Sequence, residues 1–115
     1  MIEEILIERL SASLGVPVVL ELPSPLPEQP FVLLDKTGST TAIGYGTATF
    51  AVQSWADTLY HAAALNERVK DALQTLEELD DIAAVDIQTD YNFTDPATKR
   101  YRYQLVAAVT FYIER

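Results

Sequence analysis

The sequence predicts an α+β domain: a mostly antiparallel sheet with two helices packed on one face and a long C-terminal β-hairpin. Three observations carry this reading. Residues 2–14 and 57–80 repeat their apolar side chains at helical spacing, while 47–55, 83–93 and 101–113 alternate apolar and polar residues with the period of a strand. Thr94-Asp95-Pro96-Ala97-Thr98 supplies turn chemistry between the last two strands, which makes them a hairpin. The element order reads α-β-β-β-α-β-β in one domain over residues 1–115.

The first helix places Ile2, Ile5, Leu6, Leu10 and Leu14 on one side with Glu3, Glu4, Glu8 and Arg9 between them, and Gly15 is its stop. Val16 to Leu22 is short, β-branched and bounded by Pro17 and Pro23, the signature of an edge strand or extended arm. Pro23, Pro25, Pro27 and Pro30 follow within eight residues, too dense for a helix or a central strand because proline lacks the N–H donor. Residues 23–30 therefore form a stiff strap over the domain's surface and not a domain linker. Phe31 to Lys36 reads as a strand, and Thr37-Gly38-Ser39-Thr40-Thr41 as a turn or mobile loop.

Thr47 to Trp55 sets Ala48, Phe50 and Val52 on one face and Thr49, Ala51 and Gln53 on the other. Ser54 and Asp57 have capping-box spacing, and Leu59, Ala62, Leu65, Val69, Ala72, Leu73, Leu76 and Leu79 carry an apolar stripe to Asp80. In the first hairpin strand Val85, Ile87, Tyr91 and Phe93 share one face and Asp86, Gln88, Asp90 and Asn92 the other. In the second, Tyr101, Tyr103, Leu105, Ala107, Val109, Phe111 and Ile113 align.

Composition narrows the function classes. Seventeen acidic against eight basic residues give a net charge of −9, which opposes a nucleic-acid backbone or an anionic membrane as the main partner. The absence of cysteine excludes disulfides, thiolate metal sites and a cysteine nucleophile. No stretch approaches the ~20 apolar residues of a membrane span, and Met1-Ile2-Glu3-Glu4 is the opposite of a basic signal-peptide start. The expectation is a protein that stays in the cytoplasm where it is made unless assembly carries it out.

Catalytic constellations are not evident. His61 is the sole histidine and has no serine or cysteine nucleophile motif beside it, which favours a structural or exposed role. Glu77, Glu78, Asp80 and Asp81 cluster at the end of the long helix without the alternating ligands and glycine of a calcium loop, so they read as a charged end or a contact for a basic patch. Asp86 and Asp90 share a predicted strand face but lie ~14 Å apart, too far to share a proton. Gly44-Tyr45-Gly46 lacks the third glycine of a phosphate loop, and Asn92-Phe93-Thr94 matches a glycosylation sequon only by chance in a chain without an export signal. Lys99, Arg100 and Arg102 gather three of the eight basic residues beside Tyr101 and Tyr103; the cluster does not continue over a face, and it reads as an ion-pairing patch for the acidic end of a neighbouring copy.

The Met-Ile-Glu-Glu opening, the proline-rich strap, Leu34-Asp35-Lys36-Thr37-Gly38-Ser39, Thr49-Phe50-Ala51-Val52-Gln53-Ser54-Trp55-Ala56, the run Ala62 to Lys70, Asp90 to Asp95 and Lys99 to Gln104 occur in order along almost the whole chain. In this arrangement the sequence resembles the small tail terminator, or tail completion, proteins of long-tailed phages and prophages. The resemblance implies a virion protein that forms a ring, commonly a hexamer, on the head-proximal end of the tail tube. Such a ring stops tube polymerisation and offers a surface to the head connector. It implies no enzymatic activity and no cofactor or metal. The implied partners are other copies of the chain, the tail tube protein and the head connector protein, with DNA passing through without specific binding and no membrane involved.

Carried onto this sequence, the contacts fall on the distal hairpin, Asn92, Phe93, Thr94, Asp95, Lys99, Arg100, Tyr101 and Arg102, and secondly on the loop Thr37 to Gly46. A heterologous ring interface also suits a basic cluster facing the acidic Glu77, Glu78, Asp80 and Asp81 of the next copy. Acidic groups lining the channel would keep DNA phosphates from sticking. Two other readings stay open: a head–tail connector or joining protein, and a cytoplasmic α+β module that binds a small ligand between sheet and helix.

Overall fold

A computed structural model describes residues 1–97 and 100–113. The chain is an α+β domain of two helices and one five-stranded sheet, with strand order β1-β2-β3-β5-β4. The elements are α1 (Ile2–Leu14), β1 (Val18–Val19), β2 (Phe31–Ala42), β3 (Tyr45–Ala56), α2 (Leu59–Gln74) with a 3-10 turn (Thr75–Glu78), β4 (Ile82–Asn92) and β5 (Tyr101–Tyr112). Every strand pair is antiparallel except β1 with β2.

In α1 the buried side chains are Ile2, Leu6, Leu10 and Leu14, one every four residues, and Gly15 ends the helix in the left-handed region at φ 69°. Arg68 of α2 donates to the Leu14 carbonyl at 2.6 Å, satisfying an end group that the helix itself leaves unpaired. Leu65, Val69, Leu73 and Leu76 bring α2 and its 3-10 turn onto the same core. Against both helices the sheet presents Leu34, Phe50, Val52, Leu105, Ala107 and Val109, all essentially inaccessible to water.

Four local readings are corrected. The polar stretch 37–41 is not a loop, because β2 runs to Ala42 with a single bulge at Thr37, and β3 supplies every residue from Gly38 onward with a ladder partner. The turn is instead Ile43-Gly44, where Gly44 takes the φ of 85° that a tight hairpin needs. Ser54 does not cap α2; it lies buried within β3, and Thr58 caps the helix by accepting the His61 N–H at 3.0 Å. The long helix closes at Gln74 and tightens into a 3-10 turn, with Thr75 Oγ1 bonding back to the Ala72 carbonyl at 2.6 Å.

The fourth difference lies in β4 and changes the surface. β4 contains bulges at Ala83 and Gln88, and each extra residue reverses the face of the strand residues beyond it. Asp86 therefore pairs with Ala108 on the helix-free face, whereas Asp90 pairs with Leu105 on the helix side. Asp86 and Asp90 do not share a face, and Tyr91 opposes Gln104 away from Val85 and Ile87.

Candidate interaction surface

The helix-free face carries an aromatic cluster at one end. Phe31 of β2 and Trp55 of β3 are register partners whose rings stack with centroids 5.4 Å apart. Both are buried, although no helix covers this side of the sheet. Arg102, the partner of Trp55 on β5, lays its guanidinium 4.8 Å from the Trp55 ring and 4.7 Å from Phe93. Its Nε donates to the Phe93 carbonyl at 2.7 Å. Arg100 approaches the same Trp55 ring at 5.9 Å and donates to the Pro27 carbonyl at 2.7 Å, which ties the proline strap to the sheet. Arginine suits this position because its planar, weakly hydrated head can stack on a ring while its edge still donates hydrogen bonds.

The distal turn is braced by its own side chains. Asn92 Oδ1 accepts the Thr94 N–H at 3.0 Å and Asp95 Oδ1 accepts the Ala97 N–H at 2.9 Å, both closing short side-chain turns. Thr94 Oγ1 accepts the Arg102 N–H at 3.2 Å, and the backbones of Asp95 and Arg100 form an isolated antiparallel β-bridge. Of the residues singled out from sequence, Asn92, Phe93, Thr94, Asp95, Arg100 and Arg102 thus meet at one end of the molecule. Tyr101 faces Ala56 on the helix side, and Lys99 lies outside the described residues.

The acidic group stands at the other end. Glu77, Glu78, Asp80 and Asp81 precede β4, whose eleven residues separate them from the distal turn by roughly 30 Å in a molecule 45 Å long. Glu77 accepts the outward N–H of Val85 at 3.3 Å, and Glu78 pairs with Arg9 at 2.8 Å. Arg9 also donates to Thr75, so this contact ties α1 to the 3-10 turn.

All six described lysines and arginines have a partner within the chain. Besides Arg9, Arg68, Arg100 and Arg102, Lys36 pairs with Glu3 at 3.0 Å, and Lys70 meets Glu67 at 2.9 Å and Asp90 at 3.3 Å. The Glu3 carboxyl is held below its ordinary range chiefly by the Lys36 hydrogen bond. Lys70 is held charged above its ordinary value first by Glu67 and then by Asp90, against the desolvation of partial burial. Asp57 is lowered by the hydrogen bond from His61, 2.7 Å away on the exposed start of α2.

Two further features have no counterpart in the sequence reading. Asn66 of α2 is buried and donates to Asp90 Oδ1 at 3.2 Å, an encounter created by the Gln88 bulge. Its Oδ1 and the Ser54 hydroxyl find no hydrogen-bond partner among the described residues. The second feature is a run of twenty residues, 37–56, without one charged side chain, covering the free half of β2 and all of β3. At its turn Ile43 is 99% exposed, with Tyr45, Tyr112 and Ile113 also exposed around it. Turn tips are ordinarily polar, and an isoleucine there was the available sequence signal.

The grooves are open and chemically mixed. One lies between α1 and the 77–81 segment, lined by Ile5, Glu8, Arg9, Leu79 and Asp81; another is lined by Tyr60, Asn66, Glu67, Asp90 and Tyr103. Among the described residues no three His, Asp or Glu side chains are placed to share a metal ion, and no helix is long and apolar enough to cross a membrane. The chain matches no protein-family model and no curated protein.

Proposed function

We propose that this chain is a structural virion protein that caps the head-proximal end of a phage tail tube as a ring, ends tube polymerisation and prepares head attachment. The reading rests on the sequence resemblance along nearly the whole chain. The observation that supports it is the partition of the surface. In a chain of net charge −9, the exposed run 37–45 carries no charge, with an aromatic cap at one end of the sheet and acidic groups at the other, which is a layout for packing against proteins. The ring acts by geometry and requires no bond-making step from its side chains.

The test is negative-stain microscopy of tails assembled in a lysate lacking the protein, with and without the purified chain. Tubes that overgrow in its absence and stop at uniform length in its presence are the expected result. Normal tubes that fail only to join heads would make it a head–tail connector. No effect on either would remove the virion reading and leave the groove of Asn66, Asp90 and Tyr103 as a small-ligand site.

A further inference from the structure

We infer that copies of this chain join edge to edge, the outer edge of β2 in one copy pairing antiparallel with the β4 edge of the next. The inference rests on the ring reading above and names the interface that closes the ring. Its starting point is the strand order, β1-β2-β3-β5-β4. β1 covers only Val32 and Leu33, so the outer side of β2 is unpaired beyond them, and Asp35 to Ala42 are exposed throughout. β4 is the opposite edge of the same sheet.

β2, β3, β5 and β4 alternate in sense, so the two edge strands run oppositely. Rotation about an axis inclined to the strands keeps their sense and brings β4 of one copy against β2 of the next as an antiparallel pair, the more stable ladder, and the step repeats around a closed ring.

The two edges also differ in how they are guarded. β4 carries two bulges, Glu77 on the Val85 N–H, and the carboxylates Asp86 and Asp90, of which the carboxylates discourage pairing with a like acidic edge. The β2 edge has one bulge, no proline and no charge after Lys36. Alternation counted from the Ala42–Tyr45 pair at the turn sends the Ser39 and Thr41 N–H groups outward. Pairing β4 with β4 sets acidic edges together, and pairing β2 with β2 stops at a two-fold dimer. Pairing β2 with β4 sets the acidic β4 edge mainly against the uncharged Thr37 to Ala42, beside the Asp35–Lys36 pair of opposite charges, and propagates. With Val85 already occupied, Asp86 to Asn92 offer seven residues to the eight of Asp35 to Ala42. Matching these stretches displaces successive copies by about three residues, ~10 Å, along the strands, the stagger that a closed ring of tilted strands requires.

The cysteine-free chain makes the test clean. Thr40, Asp86 and Thr89 all lie on the helix-free face by register, so Thr40→Cys is combined with Asp86→Cys or with Thr89→Cys to bracket the stagger. Both double variants and each single variant are oxidised in solution and on tail tubes, so that a ring that closes only on its template is also read. A covalent ladder from at least one double variant, ending at ring size, with no product from the singles, is expected. A dimer from Thr40→Cys alone would overturn the inference in favour of β2–β2 pairing. A ring seen by mass or microscopy with no ladder from either double variant would overturn the edge pairing and leave the ring reading intact, whereas no ring on any template would remove both. Thr41→Pro deletes one outward N–H without touching the β2–β3 ladder; with unchanged circular dichroism it should reduce ring yield at least tenfold, and full ring yield would count against the interface.

Discussion

Truncating Arg102 to alanine removes three contacts at once: the hydrogen bond to the Phe93 carbonyl and the guanidinium faces on Trp55 and Phe93. Cation–π contacts at partly exposed sites contribute about 0.5–1 kcal/mol each. A charge-assisted hydrogen bond adds ~1 kcal/mol when partly wet, and because the three share one side chain they do not sum fully, so the loss is about 2 kcal/mol. At an unfolding entropy of ~2.1 cal/mol/K per residue, 115 residues give ~0.24 kcal/mol/K, so the melting temperature should fall by roughly 8 °C. The assay is thermal unfolding of Arg102→Ala and Arg102→Lys at low and high salt, beside their ring or tail assembly. Lysine keeps the charge but not the plane or the Nε donor, so an internal brace predicts that it loses nearly as much as alanine, with little salt dependence. An Arg102→Ala protein within ~0.5 kcal/mol of the parent that no longer assembles, rescued by Arg102→Lys, would refute this reasoning and return Arg102 to an intersubunit ion pair.

Three other perturbations probe contacts elsewhere in the fold. Asp90→Ala strands the buried Asn66 amide and loosens Lys70, and urea unfolding should show a loss of about 1–3 kcal/mol, with Asp90→Asn milder because its carbonyl still accepts from Asn66. Ser54→Ala removes a buried hydroxyl without a partner and should be neutral or stabilising by up to ~1 kcal/mol; a clear destabilisation in the same assay would mean that something satisfies that hydroxyl. Because Glu3 is lowered by Lys36, its contribution is present above the ordinary carboxylate range and disappears as pH falls through the lowered folded value. Glu3→Gln should therefore flatten that part of an acid titration of stability and cost ~0.2–1 kcal/mol at neutral pH, as a surface pair does.

The parts of the fold that follow a period were legible, because period is what burial imposes. Leu6, Leu10 and Leu14, or Phe50 and Val52, stand at spacings that only one face of a helix or strand allows, and they are the core. The extension of β2 was hidden because Thr37 to Ala42 is polar and exposed; its strand state comes from hydrogen bonding to β3, a tertiary term with no local hydrophobic signal. The bulges of β4 were hidden for a related reason. An extra residue leaves the alternation of letters intact while reversing the faces, so Asp86 and Asp90 read as sharing one strand face and fold onto opposite ones. The distal turn was legible as a cluster, but its arginines read as an ion-pairing patch for a neighbouring copy, since Trp55 and Phe31 lie more than forty residues away in sequence.

That turn inward changes where assembly energy can come from. With every described lysine and arginine engaged inside its own chain, joining two copies by new ion pairs would first have to break old ones, exchanging one partly screened pair for another with little net gain. Meanwhile a net charge of −9 on each copy opposes approach at nearly every surface. The exposed run 37–45 is where this opposition is weakest, and within it β2 also offers unpaired backbone donors and acceptors. Backbone pairing is indifferent to net charge and directional along the strand, so it can fix the angle between copies, which side-chain charge alone does poorly. Salt discriminates the two routes. An ion-paired interface weakens as the Debye length shortens from ~10 Å at 0.1 M to ~3 Å at 1 M, whereas an edge-paired interface between like-charged copies strengthens as their repulsion is screened. Ring yield that rises with salt belongs to the strand edge, and yield that falls belongs to the arginines.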